Sequence, residues 1–196
     1  MRQKRCKIRC ELCVNKITDF GDPVYMIDCN KFYKVTQAQF QAAYDERYAF
    51  SKSEILQIYK DLKLPAQATS ASAGHDFFAP FDFKLAPRQG ITVPTGIRCR
   101  LLSGRFLAVF PRSGLGFKFR LQLDNTVGII DEDYFNGDNE GHIFIKLTND
   151  SAENKTVEVK KGQAFAQGII MRYEIAQGAE ASNQRRGGIG STDTFI

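Results

Sequence analysis

The stretch Phe106-Leu107-Ala108-Val109-Phe110-Pro111-Arg112-Ser113-Gly114-Leu115-Gly116 is an apolar run that stops at a proline. A cation, a hydroxyl and two glycines follow within a few positions. A short apolar run bounded by turn residues reads as a buried strand. The segment behind it has two readings: basic and hydroxyl side chains with glycine-exposed amides can cradle a phosphate, or the chain simply turns from strand to helix beside an exposed arginine.

Outward from this stretch the pattern keeps a period of two. Phe77, Phe81 and Phe83, Ile91 and Val93, Ile97 and Cys99, Leu121 and Leu123, Ile143 and Ile145, and Val157 and Val159 mark further short strands. Turn chemistry separates them at Pro87–Gly90, Ser103-Gly104, Asn136–Gly141 and Lys161-Gly162. Many short strands with closely spaced turns predict a mainly β domain of the sandwich or jelly-roll kind over residues 65–178.

Upstream, residues 31–64 read as helical. Thr36 and Gln39 have capping-box spacing, after which Phe40, Tyr44 and Tyr48 share a face; Ser51 and Glu54 repeat the signal before Ile55, Tyr59 and Leu62, and Pro65 closes the second helix. Residues 1–30 are basic, cysteine-bearing and without periodicity. From about Gly178 the chain is polar and rich in glycine, so residues 179–196 read as a mobile tail.

At 196 residues, 43% hydrophobic and 25% charged, the chain has the balance of a globular protein. No run approaches the roughly 20 apolar residues that a membrane helix needs, and the basic start lacks the apolar stretch of a secretory signal. The formal charge of +5 sits in residues 1–16, which hold Arg2, Lys4, Arg5, Lys7, Arg9 and Lys16 against Glu11. The remainder is balanced, so the charge makes no case for a nucleic-acid partner. Five cysteines without a signal sequence point to a reducing compartment, the cytoplasm. Cys6, Cys10, Cys13 and Cys29 form either an irregular zinc knuckle or free thiols in a variable extension.

A second chemical stretch is Asn125-Thr126-Val127-Gly128-Ile129-Ile130-Asp131-Glu132-Asp133-Tyr134, a hairpin-like apolar run before clustered acids. A carboxylate at the end of a buried strand can activate water or bind metal; taken alone, the stretch reads more readily with Asp131 and Asp133 as turn residues.

The order and spacing of these stretches resemble the trimeric deoxyuridine triphosphatase (dUTPase) family, whose five motifs occur here in sequence. Ser72-Ala73-Gly74-His75-Asp76-Phe77 resembles the first and Pro111–Leu115 the second. Asn125–Tyr134 resembles the third, Lys161–Gln167 the fourth and Arg185–Thr192 the fifth. The resemblance covers residues 31–196, with the helical stretch and Asp138–His142 similar to versions from Gram-positive bacteria and their phages.

The resemblance implies a dUTPase-like β-barrel or jelly roll that hydrolyses dUTP to dUMP and pyrophosphate with Mg²⁺, as a homotrimer with active sites between subunits. Asp131 would activate the attacking water, and Gln167 would help place water and phosphates. Arg112, Ser113 and Gly114 would hold phosphate oxygens, and Asp76 would sit in the outer shell of the metal through water. A β-hairpin starting at Asn125, with Gly128 and Ile130, would read the uracil, and Tyr134 would lie beneath the sugar and exclude a 2′-hydroxyl. In the fifth motif Arg185, Ile189, Gly190 and Ser191 would close over the nucleotide. The family carries Phe where Ile189 stands, and an acid followed by Arg or Lys where Gln163 and Ala164 stand. His75 replaces a family Tyr and reads as packing. Two other functions fit the same fold: a dCTP deaminase, which would need a glutamate base near the uracil hairpin, and a protein-binding regulator.

Overall fold

The computed structural model describes residues 29–178. Two helices are set by their caps. In α1 (Gln37–Asp45) the extended Thr36 accepts from the Gln39 amide, and Phe40, Ala43 and Tyr44 are buried on one face. In α2 (Lys52–Asp61) Ser51 and Glu54 form a complete capping box, and Ile55 and Ile58 point inward. Residues 31–34, read above with the helical stretch, instead form strand β1 (Lys31–Lys34). Its Lys-Phe-Tyr-Lys sequence buries only Phe32, and it pairs with β6 (Ile97–Arg100).

The remaining strands are β2 (Ala66–Gln67), β3 (His75–Phe78), β4 (Phe83–Leu85), β5 (Gly90–Pro94), β7 (Arg105–Pro111), β8 (Leu121–Leu123), β9 (Gly128–Ile130), β10 (Phe144–Asn149), β11 (Val157–Val159) and β12 (Ala164–Arg172). A short helix, α3 (Ser113–Phe119), follows β7, and a 3-10 helix spans Glu132–Asn136. Every ladder is antiparallel. The largest sheet runs β2-β3-β12-β7-β9; a second runs β5-β10-β8; β1-β6 and β11-β4 are two-stranded.

One core joins the helices to the sheets. Leu107, Leu121, Ile145, Leu147, Val157 and Phe165 are buried together with Phe40, Tyr44 and Ile55. Tyr44 and Tyr48 donate to the carbonyls of Pro94 and Thr92 on β5, which fixes α1 on the sheet. β12 escapes the alternation rule because Gly168 lies where a Cβ would meet Leu107 Cδ1 at 2.8 Å and Phe77 Cε2 at 3.0 Å. Only a glycine lets the three central strands pack that closely. Among the described residues no helix is long and apolar enough to cross a membrane.

Candidate active site

Three adjacent strands assemble one group of polar side chains. Gln167 on β12 lies opposite Asp76 on β3 and Phe110 on β7. Directly opposed residues share a face, and Arg112, two positions beyond Phe110, returns to it. The Arg112 guanidinium donates to Asp76 Oδ1 at 2.7 Å, and the Gln167 amide donates to the Pro111 carbonyl at 3.2 Å. Asp76 is buried at 6% exposure, and its charge is answered by a cation in direct contact. A guanidinium has five donors, so this bond orients Arg112 while leaving further donors for an anion. Ser113 and Gly114 follow as exposed residues at the start of α3. Gly74 completes the group: a Cβ there would sit 2.6 Å from Gln167 Oε1.

A second group lies at the other end of β7. The β7–β9 register sets Leu107 opposite Ile130 and Val109 opposite Gly128, which brings Asp131 beside Phe106. A Cβ at Gly128 would be 3.2 Å from Val109 Cβ, so the strands approach closely there. Asp131 is the N-cap of the 3-10 helix. Together with Phe106, Ile129, Glu132, Asp133 and Tyr173 it lines a cleft of about 450 Å³. Burial pushes the Tyr173 phenol up, and the neighbouring Glu132, Asp131 and Asp133 carboxylates add to the rise. Tyr134 is buried; its hydroxyl donates to the His142 carbonyl at 2.7 Å and accepts from Asn139 Nδ2 at 2.8 Å.

The fold therefore brings Asp76, Arg112, Ser113, Gly114 and Gln167 to one end of β7 and Asp131 and Tyr134 to the other. From Phe106 to Arg112, at about 3.3 Å per strand residue, the separation is about 20 Å. The hairpin expected at Asn125 is not formed. Asn125 lies in a turn closed by bonds from Thr126 N to the Leu123 carbonyl and from Val127 N to the Asn125 carbonyl. The strands on either side join different sheets, β8 pairing with β10 and β9 with β7. Two partners on separate sheets compete with the local ladder, and the turn becomes a crossover between layers.

His75 packs its ring 5.3 Å from Phe32, as a space-filling residue does. Arg185, Ile189, Gly190 and Ser191, expected to cover the nucleotide, lie outside the described residues. So do Cys6, Cys10 and Cys13; Cys29 is half-buried, and no group of three or more metal-ligating side chains occurs among the described residues.

A family model for dUTPase matches residues 60–194. The deoxyuridine 5′-triphosphate nucleotidohydrolase of Lactococcus lactis is 37% identical over 144 residues, covering 71% of this chain and 95% of that protein. The chain belongs to the dUTPase family. Its relative from Dictyoglomus turgidum, another deoxyuridine 5′-triphosphate nucleotidohydrolase, is 38% identical over 147 residues, covering 70% of this chain and 95% of its own. The crystal structure of dUTPase from Streptococcus mutans superposes with a TM-score of 0.56 at 29% identity, covering 75% of this chain and 98% of that one. A mutant dUTPase from phage phi11 of S. aureus, described with a structural Mg(II) ion, shares the fold at a TM-score of 0.50 and 19% identity, covering 62% of this chain and 90% of that one.

Against the family, β1, α1 and most of α2 precede the matched region. Sequence reasoning missed Phe106 and Tyr173 as cleft residues. They meet only because β12 pairs with β7 beyond its last apolar residues, where Tyr173 N donates to the Gly104 carbonyl at 3.2 Å. No local signal marks either one.

Proposed function

We propose that this chain is a dUTP pyrophosphatase, hydrolysing dUTP to dUMP and pyrophosphate at a site completed by a second copy of the chain. The observation that carries the reading is the division of the site residues between the two ends of β7. Arg112, Ser113 and Gly114 form an anion-holding end, while Asp131 stands about 20 Å away at the acid end. A base and a phosphate holder must both lie within hydrogen-bond reach of one reacting phosphate, so the two halves come from different copies. In the trimer implied by the family, the Arg112 end of one copy faces the Asp131 end of the next.

In this arrangement Asp131 takes the proton of a water as it attacks the α-phosphorus, and the bond to the β-phosphate oxygen breaks to release pyrophosphate. Arg112 and the Ser113 and Gly114 groups bind the phosphate oxygens whose charge grows in the transition state. Gln167, held by the Pro111 carbonyl, keeps the phosphates and water in line. The Asn125 turn with Gly128 and Ile130 presents backbone groups to the uracil edge, and Tyr134 backs the deoxyribose. Cytosine reverses the donor and acceptor pattern and leaves buried polar groups unpaired, which discriminates strongly.

The donor set fits Mg²⁺ arriving with the triphosphate. Asp76 gives one oxygen to Arg112 at 2.7 Å and, as a carboxylate, retains further acceptor capacity for a water of the ion. The ion supplies charge neutralisation to the triphosphate.

The test offers dUTP, dCTP, dTTP and UTP separately to the purified full chain with Mg²⁺ and resolves the products. Release of dUMP and pyrophosphate from dUTP alone, reduced by roughly 10²- to 10⁴-fold in Asp131→Asn, is expected. Ammonia from dCTP would replace the reading with a deaminase, and no turnover at all would overturn it.

A further inference from the structure

Thr36, the N-cap of α1, makes only half of a capping box within its own helix. Its hydroxyl accepts from Gln39 N, but the reciprocal bond to its backbone amide comes from elsewhere. Glu140, in the loop after the 3-10 helix, accepts from Thr36 N at 2.7 Å and from Thr36 Oγ1 at 2.6 Å. It takes the place that the third helical residue usually fills. Glu140 does so from a left-handed backbone, φ 57°, a conformation that a residue with a Cβ adopts when its surroundings impose it. Burial opposes its ionisation, yet the Thr36 bonds and the Arg98 charge outweigh this and hold its carboxyl below the usual range.

The loop bearing Glu140 wraps the segment that carries the acid end of the site. At Gly141, φ 69°, a Cβ would lie 2.7 Å from both Phe135 Cα and the Tyr134 carbonyl. Arg98 stacks 3.7 Å over the Phe135 ring and donates to the Phe135 carbonyl at 2.5 Å. Tyr33 of β1 packs its ring 5.7 Å from the same Phe135. Asn139 and the His142 carbonyl hold the Tyr134 hydroxyl. Two elements that precede the family-matched region thus reach this segment: β1 touches Phe135 of the 3-10 helix through Tyr33, and the Thr36 cap of α1 holds Glu140 in the loop that follows it.

We infer that the β1–α1 appendage is a brace that positions Tyr134 and Asp131 for the nucleotide, with Thr36 and Glu140 as its positioning residues. The inference rests on the dUTP reading of the site. Loosening the brace lets Tyr134 shift, and the exclusion of a ribose is the property that depends most finely on where that ring lies.

The experiment uses the full chain and compares wild type, Glu140→Gln, Thr36→Ser and Asp61→Asn. Steady-state rates with dUTP and UTP are read beside hydrogen exchange of amides 132–136. In Glu140→Gln the KM for dUTP rises roughly tenfold, the size expected for a lost charged hydrogen bond. The preference for dUTP over UTP shrinks, and the 132–136 amides exchange faster. Thr36→Ser, which keeps the hydroxyl, retains wild-type values. Asp61→Asn removes the ion pair between the end of α2 and Lys161, outside the appendage, and moves neither readout. A Glu140→Gln protein that melts earlier with unchanged discrimination and unchanged exchange at 132–136 overturns the inference. Should that variant not fold, Arg98→Lys gives the same pattern in weaker form, and its absence there overturns the inference equally. A wild-type chain that turns over no nucleotide defeats the dUTP reading, while the exchange data still decide whether the brace exists.

Discussion

The two ends of β7 differ in how they gather charge. At the Arg112 end a single cation is held at 2.7 Å by Asp76, a carboxylate buried between strands, and the neighbouring Gln167 is fixed by a backbone carbonyl. At the other end Asp131, Glu132 and Asp133 line an open cleft beside Ile129, which is 54% exposed, and Tyr173, 40% exposed. An anion is attracted to the first end and repelled by the second, and in the proposed reaction the second end supplies the base. The difference teaches that neither end gathers both a phosphate-holding cation and a carboxylate lining an open cleft, which is why the proposed reaction draws unlike ends from different copies.

The largest effect expected from this contrast is complementation. Arg112→Ala and Asp131→Asn are each expected to lose roughly 10²- to 10⁴-fold in kcat. When the two inactive proteins are unfolded together and reassembled, sites that draw Arg112 from one chain and Asp131 from another become whole. Random mixing in a ring makes about a quarter of the sites competent, so about a quarter of wild-type kcat returns. Recovery of nothing would show that one chain holds both halves of its own site, and the contrast between the ends would lose its meaning.

The next effect sharpens the Arg112 end alone. Gly74 is not in a left-handed conformation, so Gly74→Ala is tolerated by the backbone, but its Cβ would press on Gln167 Oε1 at 2.6 Å. That oxygen is the tip of a flexible side chain and moves aside at little cost in stability. Because a displacement of about 1 Å can cost 10²-fold in rate, kcat is expected to fall by roughly 10- to 100-fold with the urea midpoint unchanged. An equal loss of stability would mean that Gly74 serves packing and that Gln167 is not finely placed.

Legibility from sequence followed locality. The caps at Thr36 and Ser51 were readable because each acts within one turn of its own helix, and both side chains do accept from the amide three residues on. β12 was harder: Gly168 and Gln167 interrupt its alternation for reasons set by Leu107 and Phe77, which lie far away along the chain. Arg112 stood out in its own turn, and Asp76 and Gln167 could be named through the family resemblance. Their convergence on one face follows from the β3–β12–β7 register, which no single segment encodes. The bond from Thr36 to Glu140 spans 104 positions, and nothing near either residue announces it.

Acid should separate the two ends. His142 lies under the Asp131 end, its Nε2 accepting from Gly96 N at 2.8 Å and its ring 4.5 Å from Phe144. Burial, with help from the Arg47 charge and against the pull of Glu140, lowers its pKa from 6.5 to about 4. The unfolded chain therefore takes up this proton first as pH falls. The contribution is fully present above pH 6.5 and is lost progressively between 6.5 and about 4. The loss amounts to about 3 kcal/mol. Urea unfolding across that window should show the decline, and His142→Gln, which cannot titrate, should flatten it. Hydrogen exchange at mildly acid pH should rise around residues 132–149 before it rises around 74–78. Uniform loosening of both regions would mean that other groups govern acid stability.

The smallest effect concerns α2, which reaches toward the Arg112 side of the molecule through the Asp61–Lys161 pair at 2.6 Å. Its Ser51 side chain accepts from Glu54 N, while Glu54 accepts from Ser51 N at 2.8 Å. Ser51→Ala removes the first of these bonds and should lower stability by about 1 kcal/mol. The pair joining α2 to Lys161 is exposed on both sides and contributes little to rigidity, so a frayed first turn should not be transmitted to Arg112 or Gln167. Unchanged kcat and KM for dUTP, beside a lower urea midpoint, are the expected result. A kinetic change as large as that of Glu140→Gln would show that both helices brace the site and that the Asp131 end holds no special claim on the appendage.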